Sequence, residues 1–299
     1  MLKRILIPVD GSDSAREAFD FVASRKSWLE SDAPVLTLLN VEPTIPPHLA
    51  SAFSIFDREA YAAAQAAAVF KKLGIDKAEL PAEPEKKVIS SNDAGEAIAK
   101  YAAQSEAEMI VMGARGNSMI EGVFLGSVSQ SVIVKSKTPL MIVHPQSAPK
   151  KASLKVGIAV DGSDYGMAAV DFIIRAKNFF GANAEFVVIT VVPDYAGLIA
   201  NYMSAMASKI VPNVPDMEAE EYEKIVKPVV DKLNAAGLKA SGVQLKGRPG
   251  KMLADYTAEH LDMIVAGSHG KGNLKALVVG TTARDLAANL RKPLILIRI

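Results

Sequence analysis

The sequence predicts an α/β fold repeated twice along the chain, and three observations carry that prediction. Short apolar runs alternate with stretches of helical spacing, the order that builds a parallel sheet covered by helices. The motif Val9-Asp-Gly-Ser-Asp13 returns 151 residues later as Val160-Asp-Gly-Ser-Asp164. A glycine pattern, Gly113-Ala-Arg-Gly116, then nine residues, then Gly126-Ser127, returns after 154 residues as Gly267-Ser-His-Gly270, nine residues, Gly280-Thr281. Each unit is roughly 145 to 150 residues, a usual domain size and far too long a period for a solenoid. The halves are read as residues 1–147 and 152–299. The join, Gln146-Ser-Ala-Pro-Lys-Lys151, is short and polar, so the copies are expected to pack together.

Taken in order, residues 4–9 (Arg-Ile-Leu-Ile-Pro-Val) form an apolar run expected of a buried parallel strand. After the Asp-Gly-Ser-Asp turn, residues 14–23 have helical spacing. Residues 34–41 are the second strand, and an alanine-rich helix covers 59–73, ending at Gly74. Residues 86–90 are a third strand, 95–104 a third helix, 109–112 a fourth strand, 126–136 a fourth helix and 140–143 a fifth strand. The second half repeats this order. Five strands alternating with four helices give a parallel sheet wrapped on both faces by right-handed crossovers, a Rossmann-like domain in each half.

Composition narrows the function. Apolar residues make up 49% of the chain and charged residues 22%, as expected of a soluble globular protein with ample core. Residues 1–149 hold 15 basic and 18 acidic side chains, and the remainder 19 and 15, so neither half has the basic field of a nucleic-acid binder. The absence of cysteine excludes disulfides, thiolate catalysis and cysteine metal sites. The apolar stretch at the N-terminus is too short for a signal peptide and no run reaches membrane-spanning length, so a cytoplasmic location is expected.

The motifs fall where an α/β sheet binds ligands. A glycine loop that leaves a strand and opens a helix presents backbone N–H groups to an anion. Ligands lie beyond the carboxyl ends of strands where strand order reverses, which in an order 3-2-1-4-5 is between strands one and four. Asp10 and Gly113 then flank one crevice, Asp161 and Gly267 the other, with Val41 and Val191 next door. The loop is neither a Walker A sequence nor a dinucleotide fingerprint. Phosphate charge must therefore be met by backbone N–H groups, the Ser127 and Thr281 hydroxyls, and Mg²⁺ held by phosphate and water, with Arg115 and His269 inside the loops. Each residue also has a plainer reading. Asp10 and Asp161 suit local turns, the glycines suit close packing, Ser127 and Thr281 suit helix N-caps, and His269 suits a solvent-exposed position. The paired loops favour ligand binding. His48, His144 and His260 have no metal-ligand spacing.

The chain resembles a tandem universal stress protein. The resemblance rests on Pro8-Val-Asp-Gly-Ser12 and Val160-Asp-Gly-Ser163, the two glycine loops, and the end strands Pro139-Leu-Met-Ile-Val143 and Pro293-Leu-Ile-Leu-Ile297, and it covers both halves. It implies ATP binding, with a divalent ion. Asp10 and Val41 would lie at adenine, Pro8 and Gly113 near ribose, and Gly116, Gly126, Ser127 and Val128 at the phosphates. The same carry-over names Asp161, Val191, Gly267, Gly270, Gly280 and Thr281. It also implies that the end strands pair antiparallel about a pseudo-twofold axis, an intramolecular pseudo-dimer that leaves room for a homodimer of tandem chains.

Departures are modest. Pro8 becomes Ala159 and Val128 becomes Thr282; Gly247-Arg-Pro-Gly250 matches Asn92-Asp-Ala-Gly95, where asparagine is expected to take the left-handed conformation in place of glycine. Unequal affinities follow. With no group evident to position a nucleophile, binding is favoured over catalysis, with at most slow ATP hydrolysis or autophosphorylation. The expected function is a nucleotide-dependent sensor or regulator in stress response, acting on a protein partner the sequence does not name. The competing reading is an interaction or chaperone-like module with structural glycine loops, docking through the apolar segment 195–217 and its three methionines.

Overall fold

In each half the apolar runs become parallel strands and the amphipathic stretches become the helices between them. The structure is a computed structural model describing residues 1–44, 58–115, 125–197, 199, 213–270 and 280–299. The first half runs β1 (Arg4–Pro8), α1 (Asp13–Ala23), α2 (Lys26–Asp32), β2 (Val35–Glu42), α3 (Arg58–Leu73), β3 (Glu85–Ser90), α4 (Ala94–Gln104), β4 (Met109–Gly113), α5 (Ser127–Lys135) and β5 (Leu140–Val143). The second runs β6 (Lys155–Ala159), α6 (Asp164–Arg175), β7 (Glu185–Val192), α7 (Val214–Glu221), α8 (Lys227–Ala235), β8 (Lys239–Lys246), α9 (Pro249–His260), β9 (Met263–Gly267), α10 (Thr281–Asn289) and β10 (Leu294–Ile297). Among the described residues no helix is long and apolar enough to cross a membrane.

The strands join into one ten-stranded sheet of order β3-β2-β1-β4-β5-β10-β9-β6-β7-β8. Each half thus has the order 3-2-1-4-5, parallel throughout. The halves meet where β5 and β10 pair antiparallel, Leu294 opposite Ile142 and Leu296 opposite Leu140. Both strands are buried along their whole length, so the end strands of the two halves form the centre of the molecule.

Strand alternation sends neighbouring side chains to opposite faces. Ile5 and Ile7 enter one core and Leu6 the other, and both cores draw residues from both halves. One core includes an aromatic cluster across the join. Trp28 on α2 meets Phe179 edge-on with ring centroids 5.1 Å apart, and Phe21 meets the same ring at 5.8 Å. Buried Arg25, over the Phe21 ring, donates to the carbonyls of Lys151 (2.8 Å) and Ala152 (3.2 Å), and Asn178 Nδ2 donates to Asp32 Oδ1 at 2.8 Å. The close packing expected from the short join is therefore built by specific side chains.

The expected count of four helices in the first half is corrected by α2, seven residues that bury Trp28 and Leu29. The second half has a 3₁₀ turn, Lys177–Phe180, in that place. A second difference lies between α7 and α8, where Tyr222–Val226 is π-helical. A Cβ on Gly242 of β8 would lie 2.4 Å from the Tyr222 hydroxyl, so the glycine admits this ring against the sheet.

Candidate functional site

Each half begins its site with a turn and a cap. Gly11 and Gly162 both take φ of +76°, which glycine alone adopts readily. Asp10 Oδ1 accepts from Ser12 N at 3.0 Å, and Asp161 Oδ1 accepts from Ser163 N at 3.0 Å, so both carboxylates brace the turn. Ser12 and Ser163 then cap α1 and α6, accepting from Ala15 N and Gly166 N. The local-turn reading of the aspartates is thus part of the structure. It also holds them at the carboxyl ends of β1 and β6, facing the crevice.

The glycines divide into two kinds. A Cβ on Gly113 would lie 2.5 Å from the Ser14 backbone carbon, and one on Gly267 would lie 2.9 Å from that of Tyr165. Gly113 and Gly267 therefore permit the close approach of α1 to β4 and of α6 to β9. At the far end of the loops, Gly126 and Gly280 donate their N–H groups to Ala114 O and Ser268 O, both at 2.8 Å. They are the N-cap residues of α5 and α10, and neither helix has a side-chain cap. This corrects the N-cap reading of Ser127 and Thr281, which are the first helical residues. A glycine cap brings no side-chain acceptor of its own to the first-turn amides.

Two cavities lie at these positions. The first, about 90 Å³, is bordered by Pro8, Asp10, Val41, Gly113, Arg115 and Val128 among the expected residues. The second, about 300 Å³, is bordered by Asp161, Val191, Gly267, His269, Gly270, Gly280, Thr281 and Thr282. Gly126 and Ser127 sit at the start of α5, outside the first lining, and Gly116 lies outside the described residues. The linings differ in side-chain size: Pro8, Ala15 and Met112 line the first cavity where Ala159, Gly166 and Ala266 line the second.

His269 is not exposed, as the sequence suggested, but 7% accessible. Ser268 Oγ lies 3.0 Å from its Nδ1, Tyr165 packs tilted against the ring with centroids 4.8 Å apart, and Nε2 has no hydrogen-bond partner among the described residues. In the first half Arg115 and Ser14 occupy the places of His269 and Tyr165. Sequence reasoning passed over Tyr165 and Ser268, and also Ser129, whose buried Oγ donates to Gly113 O (3.1 Å) and Ala114 O (3.2 Å) and fixes the loop to α5. The position of Ser129, two residues inside a helix opened by glycine, was a usable signal.

Asn92 does not take a left-handed conformation. Gly247 does have a positive φ, +127°, but Asn92 is not among the described residues with positive φ. Its Oδ1 accepts from Thr44 N at 3.0 Å and ties the end of β2 to the end of β3. Gly95 and Gly250 serve packing, since a Cβ would strike Ser131 on α5 at 2.3 Å or Asp285 on α10 at 2.6 Å. His144 is buried beside the first loop. Burial, then the nearby Arg115 and Arg291 charges, lowers it to about 4. No group of three or more His, Asp or Glu side chains that could hold a metal ion exists among the described residues. Most of the apolar segment 195–217 lies outside the described residues. Its last part begins α7, which buries no side chain.

Comparison with known proteins agrees with this architecture. A model of the universal stress protein family matches residues 1–144 and 153–298. A curated universal stress protein of Mycobacterium tuberculosis is 26% identical over 199 residues, which cover 65% of this chain and 63% of that protein, less than two thirds of its length. One from Mycolicibacterium smegmatis is 23% identical over 307 residues, covering 98% of this chain and 96% of the relative. The crystal structure of a universal stress protein from Archaeoglobus fulgidus superposes with a TM-score of 0.67 at 19% identity, over 99% of this chain and 98% of that one, a likeness of fold.

Proposed function

Because the chain belongs to the universal stress protein family, with one domain in each half, we propose that it binds ATP with Mg²⁺ in both crevices and works in the cytoplasm as a nucleotide-dependent regulator of stress response. The observation that carries this reading is the pair of helix starts opened by Gly126 and Gly280, each without a side-chain cap and each beside a crevice at the reversal of strand order. First-turn amides of α5 and α10 would meet the phosphates, helped by Ser127, Val128, Thr281 and Thr282. Asp10 with Val41, and Asp161 with Val191, would meet the nucleoside. The ion would ride on the triphosphate and lower its charge; the protein's part is to orient the phosphates and shield them from water.

The two sites are expected to differ in affinity, since the second cavity is the roomier. Its volume is near the lower end for small-molecule sites. Calorimetric titration with ATP and Mg²⁺ tests the reading. Two sites of unequal affinity are expected; a single site would mean that the halves have diverged, and variants of one site at a time would show which half binds. No uptake at micromolar ATP would overturn the assignment and favour the interaction module. Mass spectrometry after incubation with ATP reads any phosphate left on the protein, and an unmodified mass removes autophosphorylation.

A further inference from the structure

The anion-binding helix of the first half is finished by a residue of the second. The carbonyls at the end of a helix have no partner within it. In α5, Val132 O is taken by Ser136 N. The next two, Ile133 O (2.8 Å) and Val134 O, both accept from Nη1 of Arg298, which follows β10 across the central join. The basic residue in the last turn of α5, Lys135, is turned away toward Oδ2 of Asp93, the N-cap of α4 (2.5 Å), and Oε2 of Glu96 in its first turn (3.1 Å). Arg298 is thus the cation placed on these carbonyls.

The arrangement is not reciprocal. The repeat places His144 where the second half has Arg298, and His144 is buried beside Arg115 and Arg291, its Nε2 without a partner among the described residues. The last turn of α10 contains no basic residue.

We infer that Arg298 is a positioning residue for the first nucleotide site, acting from the other half of the chain by holding α5 at its carboxyl end while the amino end of the same helix faces the phosphates. The inference rests on the ATP reading above. A helix of nine residues is about 13 Å long and marginal by itself. A cation at its carboxyl end complements its dipole and resists fraying, which keeps the first-turn amides aligned on an anion.

The test is made on the full chain with one site silenced at a time. A carboxylate in the first turn repels phosphate yet suits the helix dipole, so Thr282→Glu silences the second site and Val128→Glu the first. In the Thr282→Glu chain, Arg298→Ala should weaken ATP binding about two- to fivefold, and Arg298→Lys should recover at least half of that loss. In the Val128→Glu chain the loss should be smaller, although Arg298 belongs to the same half as the remaining site and its charge lies near Tyr165, which packs on His269 there. Without ligand, amide exchange in the last turn of α5 should quicken in Arg298→Ala, and that of α10 should not. The inference is overturned by an unchanged first site, by equal losses at both sites, by unaltered exchange in α5, or by a Thr282→Glu chain that binds nothing. An unsubstituted chain that takes up no nucleotide is a different result and defeats the ATP reading itself.

Discussion

At the residue scale, what a side chain or its absence touches decides whether a motif position serves the fold or the ligand. Gly267 and Gly270 stand three apart in one motif, yet they separate in this way. A Cβ on Gly267 would meet backbone atoms of Tyr165 at 2.9 and 3.0 Å, so Gly267→Ala should cost about 1–3 kcal/mol, seen as a lower urea midpoint. Among the described residues, a Cβ on Gly270 would meet the Asp161 carboxylate, at 2.5 Å from Oδ2. Gly270→Ala should displace that carboxylate, and because it also accepts from Ser163 N the cost in stability should be about 1 kcal/mol, that of one hydrogen bond. Nucleotide affinity at the second site should fall roughly tenfold, about 1.4 kcal/mol by titration. His144 gives a pH prediction. Its pKa is lowered from 6.5 to about 4 in the folded protein, so between these values the unfolded chain binds the extra proton. Stability is full above about pH 6.5 and declines as pH falls toward 4, by at most about 3 kcal/mol from this group. Replacing His144 with Gln should flatten urea midpoints measured across that window; an unchanged slope would place the acid sensitivity elsewhere. The burial of His269 could not be read from the sequence, because it depends on Tyr165, brought to it only when α6 packs on β9.

At the scale of elements, the seam between the halves rests on a small aromatic cluster. Trp28 is 1% exposed and packs edge-on against Phe179. Trp28→Ala should cost about 3–5 kcal/mol in equilibrium unfolding, and a loss below 1 kcal/mol would show that the cluster is incidental to the join. The strands were legible because parallel strands buried on both faces are unbroken apolar runs, as in Met109–Gly113 and Met263–Gly267. Helix α2 was not, because its seven residues carry Trp28 and Leu29 among five polar ones, too short a stretch to establish a period. The π-helical turn escaped too, since Tyr222 within it packs over Gly242, on a strand later in the chain. The site was located by the glycine spacing, but its caps were read one residue late. Ser127 and Thr281 are good capping residues by type, and only backbone angles show that Gly126 and Gly280 hold that position.

At the scale of the whole molecule, the continuous sheet and two shared cores make the halves one cooperative unit. Denaturation followed by tryptophan fluorescence and by far-ultraviolet circular dichroism should give coincident single transitions, whereas separate midpoints would mean that the halves unfold independently. Produced as separate chains, residues 1–149 and 150–299 should each self-associate through the exposed β5 or β10 edge, as read by analytical ultracentrifugation. Two strictly monomeric fragments would count against the antiparallel seam as the driving contact. The seam has a further consequence for how such a protein can change. In a twofold assembly of identical subunits every substitution is made twice, at both equivalent positions, so no alteration can be confined to one site. Here two symmetry-related positions are encoded separately, and one already reads arginine where the other reads histidine. Covalent linkage keeps the twofold architecture while releasing its two centres from having to mutate together.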